Sequence, residues 1–356
     1  MKFSLRPTSI DDLSMICQLL QRAFNASHDA PFLDPSVMAW KYWDCRNDWE
    51  GPRSYVLERD GVIVAHAGIY PLTFGAGEVR GVHMIDWASA KESPGAGLAL
   101  LLKMDTMFDF IYSIDGSEMT RKILPAYGYV ECARQWKGAR PLRPLQQILK
   151  HQYRQILKHP YRDWKFAPRL VRNFLWALAL PKAPDGCLHE GWKSEEIGPS
   201  EVSEKFYSQN MADACFSPRP PEFFEYLLRC PVMQIHLYGI QDKRGPKGHF
   251  AIGVLRGQAR VVGVWLRDPY REAWQAAFSL AQQAATRLEG TCEIVAAGTE
   301  GPSEQGAAGS GLRIVGHTPV YLRNKKGKLA LPPDFQFQLS ANDGFFLDSG
   351  NSSYWT

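Results

Sequence analysis

The 356-residue chain has no Cys-x-x-Cys pair; Cys17, Cys45, Cys132, Cys187, Cys215, Cys230 and Cys292 are scattered along it. That spacing excludes a zinc ribbon and a paired-thiol redox motif. An odd number of dispersed cysteines fits reduced thiols better than a disulfide scaffold. Long apolar runs are missing as well. The best, at 98–102 and 174–180, fall far short of the roughly 20 residues a membrane span needs. The opening Met1-Lys2-Phe3-Ser4-Leu5-Arg6-Pro7 has no apolar signal-peptide core. Net charge is small: 41 basic against 37 acidic residues gives +4, which makes no sequence-wide case for nucleic acid binding. What is present is core material. The chain is 45% hydrophobic, 12% aromatic and 22% charged, too apolar for a disordered protein. Its length suggests two domains. These features predict a soluble, cytoplasmic, globular protein, and no metal is expected.

Charge is unevenly spread. Between Lys137 and Arg172 there are ten Lys/Arg and one acid, Asp163, so the stretch carries 10 − 1 = +9 and the remainder 4 − 9 = −5. The same region repeats Gln147-Ile148-Leu149-Lys150-His151 as Gln155-Ile156-Leu157-Lys158-His159. Two copies are too few for a solenoid. The pattern predicts a helix ending near Lys158 and a second over 160–180, with Pro160 in its first turn. Pro181, Pro184, Asp185 and Gly186 then mark a linker. The resulting units are 1–145, a basic helical connector at 146–186, and 187–356.

The first unit alternates strands and helices. Strands are expected at 3–6, 53–57, 62–72, 79–89, 111–114 and 129–136, with Asp60-Gly61 as a hairpin turn. Ser9 followed by Asp12 resembles a capping box, and Leu13, Ile16, Leu20 and Phe24 recur at helical spacing. Further helices are expected at 97–110 and 118–124. The last unit repeats the order: helices at 199–210, 221–228, 270–288 and 303–308, and strands at 233–239, 250–255, 259–266, 292–297 and 312–322. The tail Pro332-Pro333-Asp334-Phe335-Gln336-Phe337-Gln338-Leu339 reads as a closing strand, and 349–356 as a flexible end.

The most informative segment is Met84-Ile85-Asp86-Trp87-Ala88-Ser89-Ala90-Lys91-Glu92-Ser93-Pro94-Gly95-Ala96-Gly97-Leu98. A strand enters a Gly-x-Gly turn that opens a helix. Free N–H groups and the positive dipole end at such a start suit a phosphate or pyrophosphate. A side chain there would hold the anion off the backbone. Gly-x-Gly alone also marks any tight strand-to-helix turn.

In its context this segment resembles the GNAT family of acyl-CoA N-acyltransferases, whose signature is Gln/Arg-x-x-Gly-x-Gly/Ala after the fourth strand. Here it reads Glu92-Ser93-Pro94-Gly95-Ala96-Gly97. Leu5-Arg6-Pro7 with Asp11-Asp12-Leu13 is similar to the family's first strand and helix. The hairpin from Tyr55 to Gly68 is similar to its second and third strands. Leu124-Pro125-Ala126-Tyr127-Gly128-Tyr129 resembles its end motif. In the last unit, Gly309-Ser310-Gly311-Leu312 sits where an end motif belongs, but Val264-Trp265-Leu266-Arg267-Asp268-Pro269 has no glycine pair. The resemblance implies an α/β (α+β mixed) fold of two GNAT-like units, each a mostly antiparallel twisted sheet flanked by helices, the second degenerate.

It also implies an acetyl-CoA or other acyl-CoA cosubstrate. Its pyrophosphate would lie on the N–H groups around Gly95, Ala96, Gly97 and Leu98 beside Lys91, and its pantetheine arm along Ala88 and Ser89. Two positions depart from the family: Glu92 replaces Gln or Arg, and Leu124 stands where a thiolate-protonating Tyr is common. Asp86 is the leading base candidate, against the alternative of a hydrogen-bonded strand-face carboxylate. Glu118, Asp115 and His83 are weaker candidates, with Asp115 also suited to helix capping. Tyr127 is the candidate thiolate acid, or an aromatic packed beside the turn. Cys132 has no paired His and reads as structural. The expected activity is N-acyl transfer to a small-molecule amine. Alternatives are an acyl-CoA sensor or scaffold without turnover, and an aminoacyl-tRNA-dependent transferase. For the basic connector, three uses fit: a solvated face, contact with an anionic membrane surface, or binding of an acidic substrate or, as the less expected partner, nucleic acid.

Overall fold

The computed structural model describes residues 3–74, 79–147, 166–179, 191–202, 216–217, 219–324, 327, 331–332, 334–346 and 355–356. The first half contributes β1 (Ser4–Pro7), α1 (Leu13–Phe24), α2 (Pro35–Tyr42), β2 (Ser54–Arg59), β3 (Val62–Phe74), β4 (Val79–Ser89), α3 (Ala96–Met107), β5 (Phe110–Ile114), α4 (Glu118–Ala126) and β6 (Val130–Pro141). After α5 (Phe166–Ala179) come β7 (Lys193–Glu196), α6 (Pro221–Leu228), β8 (Gln234–Asp242), β9 (Gly245–Leu255), β10 (Gln258–Leu266), α7 (Arg271–Arg287), β11 (Glu293–Thr299), α8 (Pro302–Gly309) and β12 (Arg313–Arg323). Most of these elements lie where periodicity places them. The β2–β3 turn is made by Asp60 and Gly61 with φ of 53° and 77°, the left-handed pair that a two-residue hairpin requires. The repeated segment after Gln147 lies outside the described residues, as does 203–210 of the helix expected at 199–210, whose start is a short turn, Pro199–Glu201.

The twelve strands among the described residues form one sheet, in the order β1-β2-β3-β4-β5-β12-β6-β11-β10-β9-β8-β7. Only β4–β5 and β10–β11 are parallel. The order is unchanged when each strand of one half is swapped for its counterpart in the other. The halves exchange their last strands: β12 pairs with β5 through Val320↔Ile114, and β6 pairs with β11 through Trp136↔Gly298. The two also pair with each other at the centre. The apolar side chains on one face of β2–β5 pack under α3, where Leu100, Leu101 and Met104 meet Val64, Val82 and Ile111. A larger core runs from α1 and α2 across α6 to α7.

Two expectations about the end of the chain are corrected. The segment around Phe335–Leu339 forms no strand. β10 keeps β11 as a neighbour only over Gln258–Arg260, and the segment meets the backbone beyond that point through a side chain rather than through a ladder. It crosses the sheet face, with Phe335 and Phe337 buried. Side-chain amides replace the ladder. Gln338 Oε1 accepts the Val264 N–H at 2.6 Å, and its Nε2 donates to the Val264 carbonyl at 2.7 Å. Of the closing stretch, 349–354 lies outside the described residues, but Thr356 is buried. The Thr356 N–H donates to Glu293 Oε1 at 2.7 Å, and its Oγ1 accepts from Gln147 Nε2 at 2.7 Å. Those partners replace water for an end that composition alone makes flexible.

Candidate active site

The parallel pairing of β4 with β5 spans only Gly81–His83 against Phe110–Tyr112. Beyond it the strands part. From Met84 to Ser89, β4 keeps β3 as its only strand neighbour, while β5 turns to β12. The gap holds a cavity of about 470 Å³ walled by β4 (Asp86, Trp87), α3 (Leu101), α4 (Leu124) and, from the end of the chain, Asp343 and Trp355. One cavity thus joins the α3 side of the sheet to a wall supplied by the other half.

Asp86 sits at a bulge. Its φ is 48°, in the left-handed region that Asp tolerates better than most residues. The β3–β4 register slips at the same place. One carboxylate oxygen takes two donors: Lys41 Nζ and Tyr42 OH both donate to Oδ2. The ion pair is buried, with side-chain exposures of 1% for Lys41 and 7% for Asp86. Burial pushes the Asp86 carboxyl up, but the Lys41 charge and the two hydrogen bonds hold it below the ordinary carboxylate range. Behind it, His66 Nδ1 lies 3.1 Å from the Asp86 carbonyl, and Nε2 lies 2.9 Å from Ser54 Oγ. Burial lowers the His66 pKa to about 4, so the ring is neutral.

Asp343 is the second carboxylate of the wall. It opens a one-turn 3-10 helix, Asp343–Phe345, capped by Asn342, whose side chain accepts the Gly344 N–H. Burial and the nearby Asp86 charge raise its carboxyl to about 7, against the pull of Lys41. Two carboxylates on one cavity thus have opposite shifts, one held ionised and one poised near neutrality, the pattern by which acid–base pairs divide their roles.

The other residues singled out by sequence are placed as follows. His83 lines the cavity, bonds through Nδ1 to the Tyr112 carbonyl at 3.1 Å, and has its pKa lowered to about 4 by burial. Asp115 lies at the mouth, paired with Lys137 at 2.9 Å, while Ser117 rather than Asp115 caps α4. Glu118 has a side chain 78% exposed and paired with Lys122, outside the cavity wall. Tyr127 is half-buried and also outside the wall, its carbonyl accepting from Arg323. Tyr129 lines the cavity and is buried, and its hydroxyl has no partner among the described residues. Cys132 accompanies β6 and contacts the Val320 carbonyl.

Gly95 begins α3 with φ 83°, a conformation that glycine adopts freely. A Cβ on Gly97 would meet Ser89 Oγ at 3.2 Å, so the helix start lies tightly against the end of β4. Trp87 Nε1 donates to the Gly97 carbonyl at 3.0 Å and fixes that contact. Lys91 and Glu92 are exposed beside the turn, and Ala88 and Ser89 form the free edge of β4. The first turn of α3 has no acidic residue, which leaves its dipole uncompensated.

The second half has the counterpart of this gap. There β10 pairs with β11 only over Gln258–Arg260. Its free backbone beyond that point is occupied by the Gln338 amide at Val264.

Solved structures share this overall fold. A GCN5-related N-acetyltransferase from Anabaena variabilis aligns with a TM-score of 0.55 at 12% identity, covering 90% of this chain and 72% of that one. The fold is GNAT-like. Saccharomyces cerevisiae N-myristoyltransferase with bound myristoyl-CoA aligns with a TM-score of 0.54 at 14% identity over 90% of this chain and 79% of that one. A tandem GNAT protein from the clavulanic acid biosynthesis pathway does so with a TM-score of 0.51 at 11% identity over 90% and 98%. No family model matches the sequence, and no curated protein does.

The sequence did not point to Lys41, Tyr42 or Asp343. Lys41 and Tyr42 lie on α2, a short helix with buried residues at 37, 38, 40, 41 and 42, so no amphipathic period marks it. The usable signal was Asp34-Pro35-Ser36, a cap followed by proline at the first helical position. Asp343 lies in a Gly-flanked turn with no local signal.

Proposed function

We propose that the chain is an N-acyltransferase that moves an acetyl or longer acyl group from acyl-CoA to a small-molecule amine in the first-half cavity. The supporting observation is the parting of β4 from β5 directly beside the free N-terminus of α3. On this reading the pyrophosphate sits on the N–H groups at Gly97 and Leu98, with Lys91 nearby. The pantetheine amides pair with the unoccupied edge of β4 at Ala88 and Ser89. A backbone N–H of that edge polarises the thioester carbonyl, the oxyanion-hole role.

The acceptor enters from the side walled by Asp343. Its nitrogen attacks the thioester carbon, the C–S bond breaks, and the amine proton passes to the Asp343 carboxylate. The products are an amide and CoA thiolate, which takes its proton from solvent. Asp86 serves as a fixed negative charge. Lys41 and Tyr42 occupy it, so it positions β4 and keeps Asp343 from ionising early. The second half contributes the acceptor wall and binds no cofactor, because Gln338 fills its gap.

Isothermal titration with acetyl-CoA and CoA, repeated on Gly97→Glu, tests the cofactor site. Micromolar binding lost in the variant supports it. No binding of either ligand, or of longer acyl-CoAs, refutes it. Binding without free-thiol release in an acceptor screen would instead favour an acyl-CoA sensor.

A further inference from the structure

α5 presents two unlike faces. Its inner face is anchored: Asn173 and Trp176 are buried, Asn173 Nδ2 donates to Gln147 Oε1 at 3.2 Å, and the Arg313 guanidinium lies 5.1 Å from the Trp176 ring. The outer face carries Val171, Leu175 and Leu178, which are 58%, 60% and 79% exposed. These positions follow i, i+4, i+7 spacing and form one stripe. Exposed leucines scattered singly need no explanation, but a contiguous stripe on a helix whose other face is already packed does.

Charge indicates what covers it. From Trp164 to Pro184 the sequence holds Lys165, Arg169, Arg172 and Lys182 and no acid. Arg172, on α5 itself, is exposed as well, so a protein partner would have to match apolar side chains and basic charge along one short helix. An anionic bilayer surface supplies both needs at once: acyl chains for the leucines and phosphate headgroups for the bases. No helix among the described residues is long and apolar enough to cross a membrane, so the contact is peripheral. We propose that α5 docks the protein on an anionic phospholipid surface, with Val171, Leu175 and Leu178 inserted at the headgroup boundary.

The test is co-sedimentation of the full chain with phosphatidylcholine vesicles, with and without phosphatidylglycerol, at low and high salt. Light scattering reports the oligomeric state. The proposal expects pelleting with the anionic vesicles alone, reversed by salt. Binding should weaken at least about tenfold in Leu175→Glu/Leu178→Glu, which removes two inserted side chains and adds two like charges. Leu178→Ser, at the most exposed position, gives a milder second variant if the double one does not fold. Three results overturn it: no pelleting with anionic vesicles, pelleting unchanged in both variants, or a dimer that the substitutions dissociate, which would make a second copy of the chain the occupant.

Discussion

Replacing Asp343 with asparagine separates its role in chemistry from its cost in stability. The carboxyl is raised from 3.8 to about 7 by burial and by Asp86. In the native protein it is therefore largely protonated below pH 7 and ionised above. If it is the base, kcat should rise with pH along a limb near 7 in the wild type. Asp343→Asn should lose that limb and fall about 10²- to 10⁴-fold, the usual contribution of a positioned base. Acyl-CoA affinity should stay unchanged, because the residue lies across the cavity from α3. Stability should move the other way. A raised carboxyl pKa means the unfolded chain releases its proton first, so folding weakens as pH climbs from about 4 to about 7. A shift of that size corresponds to on the order of 4 kcal/mol of ionisation cost. The asparagine variant should match wild type at pH 4 and be more stable at pH 8, read by urea midpoints. An active variant with an unchanged pH limb would refute the assignment. A variant less stable at pH 8 than wild type would refute the argument for the raised pKa.

Three other outcomes are expected. Lys41→Met leaves the Asp86 carboxylate buried beside Tyr42 alone and should cost about 3–5 kcal/mol in chemical denaturation. Gln338→Leu removes two bonds to Val264 and strands a buried N–H and carbonyl, a loss of about 2–4 kcal/mol; an unaffected midpoint would mean the amide does not stand in for a strand. His66 and His83 both have pKa values lowered to about 4 by burial. Their contribution to stability should therefore be fully present above about pH 6.5 and decline as pH falls toward 4, opposite in sign to that of Asp343, with His83→Gln flattening part of that decline in a pH series of urea melts.

Elements with a strong period were legible from sequence. The β2–β3 hairpin, the 79–89 strand, its glycine turn and the long Ala-rich helix all announce themselves through alternation, caps or helical spacing. The site was half legible. The side proposed for the cofactor is local, a strand, a turn and a helix start within one segment, so its residues could be named. The side proposed for the acceptor is assembled from α2, the Asp86 bulge and a turn over 250 residues away at Asp343, and nothing local records those approaches. Asp86 was visible as a strand carboxylate, but its two hydrogen-bond donors were not. The tail misled for a physical reason. Phe335, Gln336, Phe337 and Gln338 alternate like a half-buried strand because they do lie flat on a sheet, with glutamine amides replacing the neighbour that an edge would have supplied.

The exchange of β6 and β12 governs the order in which the molecule can be completed. As the chain leaves the ribosome, β1 to β5 can assemble, but β5 waits for a strand near the far end of the chain. Until then its edge is unpaired and able to recruit any passing strand. The second half meets the mirror condition at its own last step, since β11 needs β6, already made and waiting. Neither half is a finished folding unit on its own, so the nascent chain carries an unprotected edge through most of its synthesis. Long-range closure of this kind is slow and exposed to misassembly. The connector between the halves therefore does more than join them: it sets the local concentration at which each open edge finds its proper strand before a neighbour's.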